Sequence, residues 1–90
     1  MSFQNMPPAG PRPGDSPQMT AALDRLMVEG ADARRPVGND HQIKVTWDIN
    51  YYPDKGTILP DRGSKLAVFG LDALIKYLRE TGRLPATQSV

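Results

Sequence analysis

The sequence predicts a small α+β domain: an antiparallel β-meander followed by a C-terminal helix, β-β-β-α, with an amphipathic helix ahead of it. Three observations carry this expectation. Ile43, Val45, Trp47, Ile49 and Tyr51 alternate with Lys44, Thr46, Asp48, Asn50 and Tyr52, the period of a half-buried strand rich in β-branched and aromatic residues. Pro53-Asp54-Lys55-Gly56 then precedes Thr57-Ile58-Leu59. Pro presets φ and Gly accepts φ > 0, so this stretch closes a β-hairpin. Leu71, Leu74, Ile75 and Leu78 finally fall at i, i+3, i+4 and i+7, one apolar stripe of a helix.

Taken in order, residues 1–15 are rich in Pro and Gly and hold too few apolar side chains to offset their ordering entropy, so they read as a disordered tail. Pro8 and Pro11 form a PxxP within it, the spacing of a polyproline ligand. Ser16-Pro17 has the chemistry of a helix start, because Ser caps free N–H groups and Pro suits the first helical position. Met19, Ala22, Leu23, Leu26 and Met27 share one face of the helix 16–30, and Gly30 ends it. Three turns are marginal alone, so this stripe must pack on its own sheet or on a partner. Residues 31–40 form a linker in which Arg34-Arg35 reads as a solvated basic pair.

The core spans 41–85. After the hairpin, Pro60-Asp61-Arg62-Gly63 makes a second turn. Lys65 to Phe69 reads as a third strand, with the opening of the final helix as the other choice; Gly70 weighs against a continuous helix. Leu71 to Thr81 forms that helix, with Asp72 near its positive end and Lys76, Arg79 and Arg83 towards its negative end. Gly82 suits a left-handed C-cap, Pro85 cannot continue the helix, and 86–90 read as a tail. The expected core sets the Trp47 face of the sheet against the Leu74 face of the helix. Lys44, Thr46, Asn50 and Tyr52 are left on the other face.

Composition narrows the function. Ninety residues with a net charge of +1 and no cysteine make one small domain without disulfides, a thiolate metal site or a cysteine nucleophile. So small a core favours an oligomer or a partner, and a homodimer is the expectation. No apolar run is long enough to span a membrane. The N-terminus lacks the basic start and apolar core of a signal peptide, so a cytoplasmic protein is expected. No nucleophile elbow, metalloprotease, phosphate-loop or dinucleotide motif occurs. His41 is the single histidine, and Asp54 and Asp61 sit where turns favour Asp for backbone reasons. No catalytic residue, metal or cofactor is expected.

What remains is the polar sheet face with Lys44 and Tyr52, near turns that carry Lys55, Arg62 and Lys65. Cations that meet phosphates, beside an aromatic ring on which a base stacks, are the parts of a single-stranded nucleic-acid platform. Binding of that kind weakens with added salt.

Asp48-Ile49-Asn50-Tyr51-Tyr52, followed by Gly56, Pro60, Arg62, Gly63 and Lys65, resembles the core motif of the transcriptional coactivators called positive cofactor four. In that family an Asp-Ile step leads to paired aromatics, a Gly turn, a Pro, a basic-glycine segment, a strand and a helix. The resemblance covers a quarter to a third of the chain. This sequence has one residue fewer before the paired tyrosines, no tryptophan in the helix and no strand before His41. The resemblance implies a dimer that binds single-stranded DNA through its sheet, with Lys44, Trp47, Tyr52, Arg62 and Lys65 as the contacting residues. The competing class is a protein-interaction module, such as an adaptor, antitoxin or phage-type inhibitor. It would use an exposed sheet edge or the helix face of Met19, Leu23, Leu26 and Met27.

Overall fold

The structure, a computed structural model, describes residues 10–84. The elements in chain order are α1 (Pro17–Val28), β1 (Ile43–Thr46), β2 (Ile49–Tyr52), β3 (Thr57–Pro60) and α2 (Leu71–Glu80). The strands form one antiparallel sheet in the order β1-β2-β3. The fold is therefore α+β: a three-stranded meander followed by a helix, with a helix ahead of it. Residues 1–9 and 85–90, with Pro8 of the PxxP and the C-terminal tail, lie outside the described residues.

Both helices form where the sequence places them. Ser16 Oγ accepts the Met19 amide at 3.1 Å, and Pro17 opens α1, which answers one of the orphan donors of the first turn. Each helix closes on a left-handed glycine. The Ala31 amide donates to the Leu26 carbonyl past Gly30, and the Arg83 amide to the Leu78 carbonyl past Gly82, the six-to-one bond of a Schellman end.

The strands are divided differently from the sequence reading. The alternating run is not one strand but two, β1 and β2, reversed at Trp47-Asp48. Ile43 faces Tyr51 and Lys44 faces Asn50, but Thr46 faces Ile49, so Val45 is a bulged extra residue. No described non-glycine residue has positive φ. The primed turns that match strand twist are thus closed to Trp47-Asp48, and the bulge supplies the added twist. The third strand is Thr57–Pro60 rather than Lys65–Phe69. Residues 65–69 are neither strand nor helix and leave most of their surface exposed.

Trp47 is also corrected. It sits in the turn and is 71% exposed, whereas Leu74 is fully buried. The core is filled by Ile43, Val45, Ile49, Tyr51 and Ile58 from the sheet, by Leu74, Ile75 and Leu78 from α2, and by Met19, Ala22, Leu23 and Leu26 from α1. Burial raises the Tyr51 hydroxyl pKa, and the nearby Asp72 charge adds to the rise.

The linker and the end of the predicted tail belong to the fold. Arg35 is fully buried rather than solvated. Its guanidinium donates to both Asp15 oxygens at 2.9 and 3.0 Å, to the Gly10 carbonyl at 2.9 Å and to the Asp40 carbonyl at 3.2 Å. A buried guanidinium is tolerable only with partners of this kind. Arg34 exchanges both backbone bonds with Lys44 at 2.8 Å and so covers the outer edge of β1. On the other side the chain returns along β3, with the Leu66 amide on the Ile58 carbonyl. Each outer strand is thus met on its free side at one residue, Lys44 on β1 and Ile58 on β3.

These pairs make stability acid-sensitive. The Arg35 hydrogen bond, then the Arg12 amide, holds Asp15 below its ordinary pKa; Arg25, then Arg79, does the same for Glu29, and Arg83, then Thr46, for Asp48. At Asp61 burial pushes upward, but hydrogen bonds from Lys44 and Asn50 outweigh it. A carboxylate with a lowered folded pKa contributes stability above its unfolded pKa and loses it as pH falls through the folded value. The melting temperature should hold steady above about pH 5 and drop progressively below it, with Arg83→Leu showing a smaller drop than the native chain. A melting curve unchanged between pH 6 and pH 3 would contradict these pairs.

Candidate nucleic-acid interface

The β2–β3 turn builds one end of the sheet into a cleft. The Tyr52 carbonyl accepts the Lys55 amide at 3.1 Å and the Gly56 amide at 2.7 Å. Pro53 is buried beneath the turn, while Asp54 and Lys55 stand exposed. After β3 the chain reverses and comes back along the same strand, tied by the Leu66 amide to Ile58 and by the Gly70 amide to the Gly56 carbonyl at 2.8 Å. That return carries Lys65 to the turn. His41, Tyr52, Asp54, Lys55, Thr57 and Lys65 then line an open cleft of about 600 Å³. A second hollow of about 360 Å³ shares Lys55, Thr57 and Lys65 and adds Leu66, Ala67 and Phe69. Phe69 is 73% exposed.

The charges sort clearly. Lys55 and Lys65 hold no ion pair or side-chain hydrogen bond among the described residues, and both line the cleft. Most other cations are committed. Lys44 Nζ lies 2.5 and 2.6 Å from the Asp61 oxygens and 3.4 Å from Asn50 Oδ1, with its side chain only 12% exposed. Asn50, itself buried, donates to Asp61 at 2.7 Å and to the Leu59 carbonyl at 3.0 Å and accepts from Gln42 at 2.7 Å. The lysine thus completes a polar network on the sheet's outer face. Such a buried network needs all its members to be satisfied.

Asp54, which also lines the cleft, stands between two groups. Ser16 Oγ donates to Asp54 Oδ1, and His41 Nδ1 lies 3.6 Å from Oδ2. The imidazole bears on the carboxylate, not on the hydroxyl, so it is not placed to take the serine proton as a catalytic base does. The trio instead ties the start of α1 to the β2–β3 turn. Among the described residues, no three His, Cys, Asp or Glu side chains converge to hold a metal ion. No described helix is long and apolar enough to cross a membrane.

Of the six residues singled out for nucleic acid, the structure brings together Tyr52, Lys55 and Lys65. Lys44 is engaged by Asp61. Trp47 lies at the opposite end of the sheet, in a hollow of Gly30, Ala31, Asp32, Val45, Thr46, Arg83 and Leu84. Arg62 follows Pro60, which pairs with Ile49, and so is also at that end. Of the helix residues proposed for a partner, Met19, Leu23 and Leu26 are buried in the chain's own core, and Met27 alone faces outward, 71% exposed.

Sequence reading missed Thr57 and Phe69. The sequence places Phe69 in an expected third strand; its position just before Gly70, the N-cap of α2, is the one signal against that assignment. No family model, no curated protein and no solved structure matches the chain.

Proposed function

We propose that this protein binds single-stranded nucleic acid without strong sequence preference, at the cleft of Tyr52, Lys55 and Lys65. One observation carries the reading: two lysines with no partner among the described residues stand at the same cleft as a half-buried tyrosine. Unpaired cations take the phosphate charge and release its counterions. The ring offers a face on which any base stacks. The resemblance to positive cofactor four implies the same class of ligand.

Fluorescence anisotropy with labelled single-stranded DNA and RNA at several salt concentrations tests this. The slope of log affinity against log salt should be about −0.7 for a single strand if both lysines hold one phosphate, and about −1.4 if each holds its own. The double variant Lys55→Ala/Lys65→Ala should weaken binding and flatten that slope. Tyr52→Ala should weaken binding by about 1–3 kcal/mol and leave the slope nearly unchanged. Absence of binding to any oligonucleotide at low salt would defeat the reading. A protein-interaction role would then take its place, favoured by the exposure of Trp47 and Met27 at the other end of the molecule.

A further inference from the structure

We infer that the site takes a dinucleotide step: one phosphodiester between Lys55 and Lys65, with one base on Tyr52 and the next on Phe69. This rests on the proposed nucleic-acid reading and gives its footprint. The inference comes from how the two hollows adjoin. They share a wall of Lys55, Thr57 and Lys65. The larger hollow adds Tyr52, His41 and Asp54 to that wall. The smaller adds Leu66, Ala67 and Phe69. The unpaired positive charge is thus common to both hollows, and each hollow adds an aromatic ring.

A phosphodiester with a base on either side has the same order: one negative charge in the middle and a flat, stackable group to each side. A mononucleotide fills one hollow and leaves the other empty. The 73% exposure of Phe69 is otherwise a large apolar side chain left in water beside a cationic wall. Asp54 lines the larger hollow but not the smaller one; its negative charge disfavours a phosphate beside it, so the phosphate sits at the shared lysines. The track also ends there. Lys44 is held by Asp61, and Arg62 follows the Pro60–Ile49 pair at the opposite end of the sheet. A third nucleotide meets no further unpaired cation of this cleft.

The test is competition against a labelled single-stranded hexanucleotide on the full chain at low salt. The competitors are a nucleoside 5′-monophosphate and the di-, tri- and hexanucleotides, in thymidine and uridine series, so that the two arms separate DNA from RNA. Affinity should rise by about fivefold or more from mono- to dinucleotide, the gain expected for one added stacked base. From di- to hexanucleotide it should rise by no more than about fivefold, the statistical gain from five overlapping dinucleotide registers in an otherwise neutral track. Phe69→Ala should abolish the mono-to-di gain. Its exposure leaves the fold intact, which an unchanged melting temperature verifies, and Lys76→Ala on the outer face of α2 serves as the neutral control. Affinity that keeps climbing steeply from di- to hexanucleotide would leave the proposed function standing and overturn the two-nucleotide footprint. An unaltered mono-to-di gain in Phe69→Ala would overturn the second base site. Failure of every oligonucleotide to bind would remove the proposed function itself.

Discussion

Leu74→Ala is expected to destabilise the fold by about 2–5 kcal/mol, and Trp47→Ala by no more than about 0.5 kcal/mol. The larger aromatic residue is the obvious anchor for so small a core, yet the burial is reversed. Leu74 is fully buried among residues of the sheet and both helices, and Trp47 is 71% exposed. Removing three carbons from a close-packed interior forfeits their transfer free energy and leaves a cavity that the surroundings only partly fill. Total stability in small domains is about 5–15 kcal/mol, so Leu74→Ala removes a large share of it. Urea denaturation of both variants measures the contrast. A Trp47→Ala midpoint shifted as far as that of Leu74→Ala would mean that Trp47 is a core residue after all.

Gly56→Ala should be nearly as damaging, at about 3 kcal/mol, for a reason that residue type alone does not reveal. Gly56 has φ +73°, and a Cβ there would lie 2.9 Å from the Gly70 amide nitrogen and 3.3 Å from its Cα. The left-handed backbone accounts for about 1–2 kcal/mol in an L-residue. The remainder comes from the contact, because the atoms met are backbone and cannot swing away. Gly70 donates its amide to the Gly56 carbonyl and starts α2, so the added methyl pushes the helix start away from the turn. Gly82→Ala separates the two contributions, since Gly82 has φ +76° but nothing within 4 Å of its Cβ position. Equal losses in the two variants would show that the contact with Gly70 carries no weight.

Much of this molecule was legible in the sequence wherever the information is local. Ser16-Pro17 and Gly30 bound the first helix, and the Leu71 stripe and Gly82 bound the second. Capping is decided within a few residues of the cap, and neighbours four apart on a helix meet whatever lies elsewhere. Pro53 to Gly56 was legible as a turn for the same reason. The α+β class with its meander was legible too, but its three strands are not the three expected: the alternating run supplies two of them, and Lys65–Phe69 supplies none.

The tertiary structure alone decided how the alternating run divides. Ile43 pairs with Tyr51 and Lys44 with Asn50, so odd-numbered residues stay on the core face before and after the reversal. The period-two pattern therefore runs unbroken through the turn, and nothing in it marks Trp47-Asp48 as the corner. The marks are distant: Arg83 donates two hydrogen bonds to the Asp48 carboxylate, and the Asp48 carbonyl accepts the Asp61 amide at 2.8 Å. The charged groups follow the same rule. Residue type made Lys44, Lys55 and Lys65 equal candidates. Whether a cation is available depends on which carboxylate the fold sets beside it, and here Asp61 reaches Lys44 while no described carboxylate pairs with the other two. Arg35 looked solvated until Asp15, twenty residues earlier in the chain, supplied the counter-charge that lets it be buried. Local preference sets the elements, but burial and charge pairing are properties of contacts between residues far apart in the chain, and those exist only once the chain has closed.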